Sequence, residues 1–307
     1  MAVDPAAVID RRRLKRRLIF WRVFAIVAAV GVVLALAGRF HGASFGAHIA
    51  RLSVSGVIFD DPFRANALDE LAADDKVRAL IVAIDSPGGT FVGGEALYES
   101  LRKVAEAKPV VAVLGGTAAS AAYMVALGAD HIVARKGTVT GSIGVIMQTA
   151  DITGLLDKLG IKPETIKSGP LKAQPNPLEP FSPAAREATE AVVEDLFGMF
   201  VDLVAARREM DRDKVLGFAD GRVFSGRQAM RGGLVDAIGA EAEARRWLVE
   251  TKGIEAGLDI NDVDIDYGGE AWRDMVGSGI AKLFGKDLFS ERLRLDGVIS
   301  LWHPDFN

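Results

Sequence analysis

The sequence predicts an α/β fold, and three observations carry that prediction. Apolar runs of strand length alternate with segments of helical period, several of those runs are apolar at nearly every position, and glycine-containing turns follow two of them. A run apolar throughout is the mark of a strand covered on both faces. The first strand is predicted over residues 48–59 and a helix over 65–73. A second strand at 77–84 leads to a helix around 94–107, which ends before Pro109 because a proline drives the residue ahead of it out of helical backbone. Residues 110–114 give a third strand, 121–127 a helix, 132–134 a short strand and 143–147 another. Residues 164–167, after Pro163, offer one more short strand. No repeat of 20 to 50 residues is visible, so this part of the chain reads as one globular unit rather than a solenoid.

Between residues 169 and 183 the character changes. Pro170, Pro175, Pro177, Pro180 and Pro183 withhold backbone donors from any regular ladder, which predicts an irregular loop. Ser182 and Pro183 then read as N-cap and first residue of a long helix reaching about Arg208. Val192, Leu196, Phe200 and Val204 form its apolar face, to be packed on the domain or on a neighbouring subunit. From about residue 257 the period is mixed and glycine and aspartate are frequent. Only a weak amphipathic stretch around 272–284 stands out there.

Composition narrows the function. Half of the 307 residues are apolar, enough for one large core. The formal charge is only -4, and no basic face follows a phosphate backbone, so nucleic acid is not an expected partner. The absence of cysteine removes disulfides, thiolate metal sites and thiol nucleophiles. His41, His48, His131 and His303 are scattered and form no metal-ligand spacing, so no metal is expected.

Near the N-terminus, Arg11, Arg12, Arg13, Lys15, Arg16 and Arg17 stand directly before an apolar stretch at 18–38. A helix of that length reaches about the 30 Å of a bilayer core, and the basic cluster stays on the cytoplasmic side. The expectation is a basic cytoplasmic segment at 1–17, a transmembrane anchor in contact with membrane lipid at 18–38, and a globular domain at 45–254 on the far side of a cytoplasmic membrane. A tail of unassigned structure follows at 255–307. The alternative is a cleavable signal peptide ending near Ala35-Leu36-Ala37, but the apolar core exceeds the usual ~7 to 15 residues of such a peptide.

Two turns place small residues where backbone must approach something closely. In Asp85-Ser86-Pro87-Gly88-Gly89-Thr90, Pro87 fixes one dihedral and the glycines permit positive φ, so successive amides can face one concavity and bind an oxyanion. An ordinary strand-to-helix turn has the same sequence character. The second turn, Gly115-Gly116-Thr117-Ala118-Ala119-Ser120-Ala121, opens a helix at Ser120. The free amides and macrodipole there favour developing negative charge, which suits a nucleophile, yet serine at this position also serves as a simple helix cap. A nucleophilic serine needs a base. His131 begins a buried strand and reads as structural, whereas a lysine serves when desolvation keeps its amine neutral. Lys167 and Lys172 are the candidates, the latter flanked by Leu171 and Ala173, and spacing alone does not choose between them.

Taken in order, these segments resemble the bacterial signal peptide peptidase A family, a branch of the Clp-protease/crotonase fold with a serine-lysine dyad. The resemblance runs from about residue 52 to 239. It includes Asp85-Ser86-Pro87-Gly88-Gly89, the Ser120 turn, Thr140-Gly141-Ser142-Ile143-Gly144-Val145, Lys167-Ser168-Gly169-Pro170-Leu171-Lys172, Gly221-Arg222-Val223-Phe224-Ser225-Gly226 and Gly233-Leu234-Val235-Asp236. It implies a ββα superhelix preceded by the transmembrane helix, Ser120 as nucleophile, Lys172 as general base and Ser142 as the residue that orients that lysine. Amides of Gly88 or Gly89 and of Ser120 would form the oxyanion hole. The implied reaction is cleavage of released signal peptides and other apolar peptides through an acyl-enzyme, without a cofactor, in a homo-oligomer whose sites draw serine and lysine from adjacent subunits. Pro170, Leu171 and Ala173 depart from the family, which often has a basic residue and an aromatic before the base and an acid after it. The rival readings are a coenzyme A-thioester hydratase or isomerase of the same fold and a membrane scaffold that has lost catalysis.

Overall fold

A computed structural model describes residues 17–18, 20–27, 29, 46–265, 267 and 299–301. The chain divides into two units, residues 1–47 and 48–307. In the first, the described residues from 17 to 29 are helical, with Leu18, Phe20, Trp21, Val23, Phe24, Ile26 and Val27 exposed. Among the described residues no helix is long and apolar enough to cross a membrane. Most of the second half of the anchor expected at 18–38 lies outside them.

In the second unit the described strands form one mixed sheet. Its centre is three parallel strands, β1 (His48–Ile58), β2 (Val77–Thr90) and β3 (Val110–Ala119), in the order β3-β2-β1. Alternate residues of each strand face opposite ways. Leu52, Val54, Leu80, Val82, Ile84, Val110, Ala112 and Leu114 enter the larger core. Ile49, Ala79, Ile81 and Val111 enter the smaller one on the other face. Burial on both sides explains why these runs are apolar nearly throughout.

After β1 and after β2 the chain turns into a capped helix. The Asp61 carboxylate accepts the amides of Phe63 and Arg64 at the head of α1 (Pro62–Ala73). The Thr90 hydroxyl accepts the Gly93 amide at the head of α2 (Phe91–Ala107). Both caps satisfy donors that a helix start leaves without partners. After β3 comes the short α3 (Ala121–Ala126), all six residues of which are buried.

β3 changes partner along its length. Val111 to Leu114 pair with β4 (His131–Ala134), and Thr117 to Ala119 pair with β5 (Val139–Gly141). The strand expected at 143–147 is therefore misplaced. Gly141 and Ser142 take φ of +86° and +51° and lead the chain out of the sheet. Ile143 is apolar because it is buried just beyond that turn, while Ile146 is exposed. Residues 164–167 form no strand either, and Ile166 is fully exposed.

A helix not expected from the sequence, α4 (Thr153–Leu159), buries no residue and ends at Gly160 with φ +70°. After the proline-rich loop, α5 (Pro183–Arg208) starts as expected, with the Ser182 hydroxyl accepting the Ala185 amide. Its apolar face is only half used: Phe200, Val201 and Val204 are buried, whereas Val192 is 46% exposed.

α6 (Arg212–Leu216), β6 (Val223–Ser225), α7 (Gly226–Gly232), β7 (Ala237–Ile238) and α8 (Glu241–Lys252) complete the unit. β6 pairs antiparallel with β5, and β7 runs parallel to β4. In the unassigned tail, β8 (Ile260–Asp262) lies parallel to β1, held by Arg51 to Asp262 and Glu241. β9 (Ile299–Leu301) pairs antiparallel with Gly88 to Thr90. The stretch around 272–284 lies outside the described residues.

His131 is a structural residue with a pH consequence. Its ring stacks on Trp247, centroids 4.7 Å apart, and stands 3.9 Å from Asp236, which also pairs with Arg208. Burial lowers its pKa from 6.5, outweighing the pull of the Asp236 carboxylate. The unfolded chain therefore binds a proton that the folded chain resists, so this contribution to stability is complete above about pH 6.5 and declines as pH falls below it. Urea unfolding at pH 7.5 and 5.5 is expected to show that decline, and His131→Phe, which keeps the stack, is expected to lessen it.

Candidate active site

The Pro-Gly-Gly turn does not end β2 but continues it. Val57 and Ile58 of β1 stay in register with Gly88 and Gly89 after a shift at Gly56, which takes φ +68°. Gly88 sits at φ +116°, a backbone that side chains strongly disfavour. Gly89 is required by space, since a Cβ there would stand 1.9 Å from the Ile58 carbonyl oxygen. Gly89→Ala is accordingly expected to destabilise the fold by about 3 kcal/mol or more, measurable by urea unfolding, because backbone rather than a mobile side chain must yield.

Two neighbouring side chains hold this turn and the next. The Asp85 carboxylate accepts the Thr117 amide at 2.9 Å, across the irregularity where β3 bends towards Ser120. The Ser86 hydroxyl, fully buried, donates to the Gly56 carbonyl at 2.6 Å and accepts the Gly88 amide at 3.1 Å.

Ser120 follows the last residue of β3, with φ 57° and ψ -123° and 1% of its surface exposed. Such a backbone costs of order 1–3 kcal/mol and persists only where its surroundings impose it. Here they do so from both sides. The Ser120 amide donates to the Gly141 carbonyl at 2.8 Å, and its carbonyl accepts the amides of Tyr123 and Met124 at 2.9 and 3.0 Å. Tyr123, wholly buried, anchors the same helix by donating its hydroxyl to the Leu234 carbonyl at 2.8 Å. Although Ser120 occupies the N-cap position, its side chain makes no capping hydrogen bond. The reading of this serine as a simple cap is thereby removed.

Ser142 stands beside it by register. Ala119 faces Gly141 in the β3–β5 ladder, so Ser120 and Ser142 are each the next residue beyond one pair, and both have left-handed φ. The Ser142 amide donates to the Arg222 carbonyl at 2.9 Å. Thr140 and Thr138 tie their hydroxyls to the carbonyls of Ala118 and Gly115 at 2.6 and 2.7 Å, fixing β3 against β5.

The amides expected from sequence to form an oxyanion hole are those of Gly88 or Gly89 and of Ser120. The Ser120 amide continues the pairing with β5, and the Gly88 amide turns back to Ser86, so these two face protein acceptors in this structure. Ala121 offers a further candidate donor that sequence reasoning did not name. As the first residue of α3 it has no carbonyl one turn back within the helix for its amide. The signal was available, since the amide after a residue that opens a helix is always one of the helix's unpaired donors.

The structure treats the two candidate lysines differently. Lys167 is bound to Glu179, whose carboxylate also accepts from Gln174 at 2.6 Å. The hydrogen bond from Lys167 holds that carboxyl below its usual range. Lys172 is exposed in the loop, its amide donating to the Gly169 carbonyl at 3.2 Å and its ammonium making no ion pair among the described residues. Within one chain, Ser120 and Ser142 are thus brought together and Lys172 remains at the surface. His131 pairs with Val111 near the start of β3, about 25–30 Å along the strand from Ser120. Among the described residues no group of three or more acids and histidines forms a metal site.

Comparison with known proteins gives the following. The sequence profile of peptidase family S49 matches residues 102–255. A candidate protease of Synechocystis sp., slr0021, is 41% identical over 71% of this chain and 78% of its own length. The chloroplastic serine protease SPPA of Arabidopsis thaliana is 37% identical over 55% of this chain and 25% of its own. Protease 4 of Salmonella typhi is 30% identical over 64% and 33%. Among solved structures, a ClpP1 mutant from Listeria monocytogenes aligns over 62% of this chain and 91% of its own, at 16% identity and a TM-score of 0.41.

Proposed function

The chain belongs to peptidase family S49 and is a serine peptidase, and we propose that Ser120 is its nucleophile and Lys172, supplied by a neighbouring subunit, its general base. That membership favours a peptidase over the coenzyme A-dependent alternative. The observation that carries the assignment is Ser120 itself: a strained, buried residue between β3 and a fully buried helix. Backbone strain of this kind gathers at reacting residues.

A base from another subunit fits the surface around Lys172. Ile146, Leu155, Leu159, Ile161, Ile166 and Leu171 are exposed in the same stretch of chain as Lys172. Exposed apolar side chains in this number suit an interface, and a homo-oligomer in which α4 and the proline-rich loop reach the neighbour would cover them and desolvate the lysine.

In the proposed reaction the Ser120 oxygen attacks the scissile carbonyl carbon as the neutral Lys172 amine takes its proton, with the Ser142 hydroxyl orienting that amine. Amides of Gly89 and Ala121 receive the oxyanion. As the tetrahedral intermediate collapses, Lys172 gives its proton to the departing amine and an ester to Ser120 remains. Lys172 then takes a proton from water as that water attacks the ester, and when the second tetrahedral intermediate collapses Lys172 returns the proton to the Ser120 oxygen, releasing the acid product and regenerating the neutral amine. The substrate would lie as an extended strand along Gly88 to Thr90, taking the place that β9 occupies antiparallel in this structure.

The substrates are released signal peptides and other apolar peptides, and the segment at 18–38 anchors the enzyme in a cytoplasmic membrane with its site on the extracytoplasmic side. The test is a fluorophosphonate probe followed by peptide mapping. Labelling at Ser120 that is blocked by an apolar peptide is the expected result, and labelling of a different serine overturns the assignment.

A further inference from the structure

Ser86 is buried, polar and unused by the reaction just described, and its surroundings give it a task. It lies where β2 loses register with β3, and its hydroxyl spans from the bulge in β1 at Gly56 to Gly88. A hydroxyl has one proton to give. That proton goes to the Gly56 carbonyl at 2.6 Å rather than to the Gly88 carbonyl at 3.3 Å, which leaves a lone pair for the Gly88 amide at 3.1 Å.

From this geometry, and resting on Ser120 as nucleophile, we infer that Ser86 is a positioning residue that locks the Pro87-Gly88 turn so that the Gly89 amide meets the oxyanion. The reason lies in the glycines. Gly88 and Gly89 have the widest backbone freedom of any residues, and Gly88 is held at φ +116°. Pro87 fixes its own φ but not the dihedrals that follow. The buried hydroxyl supplies the constraint by tying the turn to β1, which is itself pinned by the core through Leu52, Val54 and Ile58. Substrate affinity along the strand edge does not depend on that bond, whereas the aim of one amide at a transient charge does. Removing it should therefore act on the transition state and spare ground-state binding.

The experiment uses the assembled full-length enzyme and two inhibitors of the same apolar peptide sequence. The aldehyde adds the Ser120 oxygen to its carbonyl carbon and creates an oxyanion, while the corresponding alcohol binds without doing so. In Ser86→Ala the aldehyde is expected to bind about 10- to 100-fold more weakly, with kcat reduced by a similar factor, part of the effect of losing an oxyanion donor outright. Alcohol affinity and KM should stay within about twofold. Unchanged aldehyde affinity overturns the inference, as does an equal loss for both ligands, which would report a general packing defect. Should Ser86→Ala fail to assemble, the near-isosteric Ser86→Cys makes the same comparison with a poorer donor and acceptor, and wild-type aldehyde affinity there overturns it too. Ser120→Ala separates the two levels of the argument. If that variant still prefers aldehyde to alcohol, the nucleophile assignment falls, and this inference falls with it.

Discussion

Ser120→Ala is expected to reduce hydrolysis of an apolar peptide by about four orders of magnitude or more, measured as kcat on the purified oligomer, since loss of the nucleophile leaves only the residual contribution of binding and the oxyanion donors. The fold should hardly notice. Backbone hydrogen bonds to Gly141, Tyr123 and Met124, which alanine keeps, fix the residue in place. The backbone strain, by contrast, remains in alanine, which is no more at ease at φ 57° than serine. Ser120→Gly should relieve it and unfold about 1 kcal/mol later than Ser120→Ala, while being equally inactive. An active Ser120→Ala enzyme would remove the serine from the reaction. If glycine proves less stable than alanine, the strain attributed to this position is not there.

The contrast between these two variants also shows what the sequence can carry. Ser120 was legible as a candidate because a small residue at the junction of a buried strand and a helix has few roles. Its left-handed backbone was not, because that conformation arises from pairing with β5, itself the short and partly polar Val139–Gly141. The same cause misplaced the strand expected at 143–147, where the apolar signal came from Ile143 packing beyond the turn. Long strands buried on both faces announced themselves, as Leu80 to Ile84 and Val110 to Leu114 show. Their ends did not: β2 runs on through Pro87, Gly88 and Gly89 to Thr90, since residues that punctuate most chains here follow the edge of β1. The directions of the amides around Ser120 and Gly88 depend on these same ends. The half-covered face of α5 and the exposed isoleucine at 166 belong to a further class. Their sequence reads as core, and among the described residues no surface buries them.

A base borrowed from a neighbour makes a prediction that a base in the same chain does not. Lys172→Ala and Ser120→Ala are each expected to be inactive, and co-expressing the two should restore peptidase activity to roughly a quarter of the wild-type value per subunit. The fraction follows from a head-to-tail interface, in which each site takes its serine from one subunit and its lysine from the next. With random mixing of two variants in equal amounts, about half of the serines and half of the facing lysines are native, and only their product is productive. Mixed oligomers that stay inactive would place both residues of a site on one chain and overturn the shared arrangement. Lys172→Arg should be as inactive as alanine, because a guanidinium stays charged at any working pH and cannot accept the serine proton. Lys167→Ala provides the control: its partner is Glu179, so the loop loses an ion pair while the site keeps its base, and most of the activity should persist. The reverse outcome, full activity without Lys172 and none without Lys167, would transfer the role of base to Lys167 and make the Glu179 pair a resting state that must open before the reaction begins.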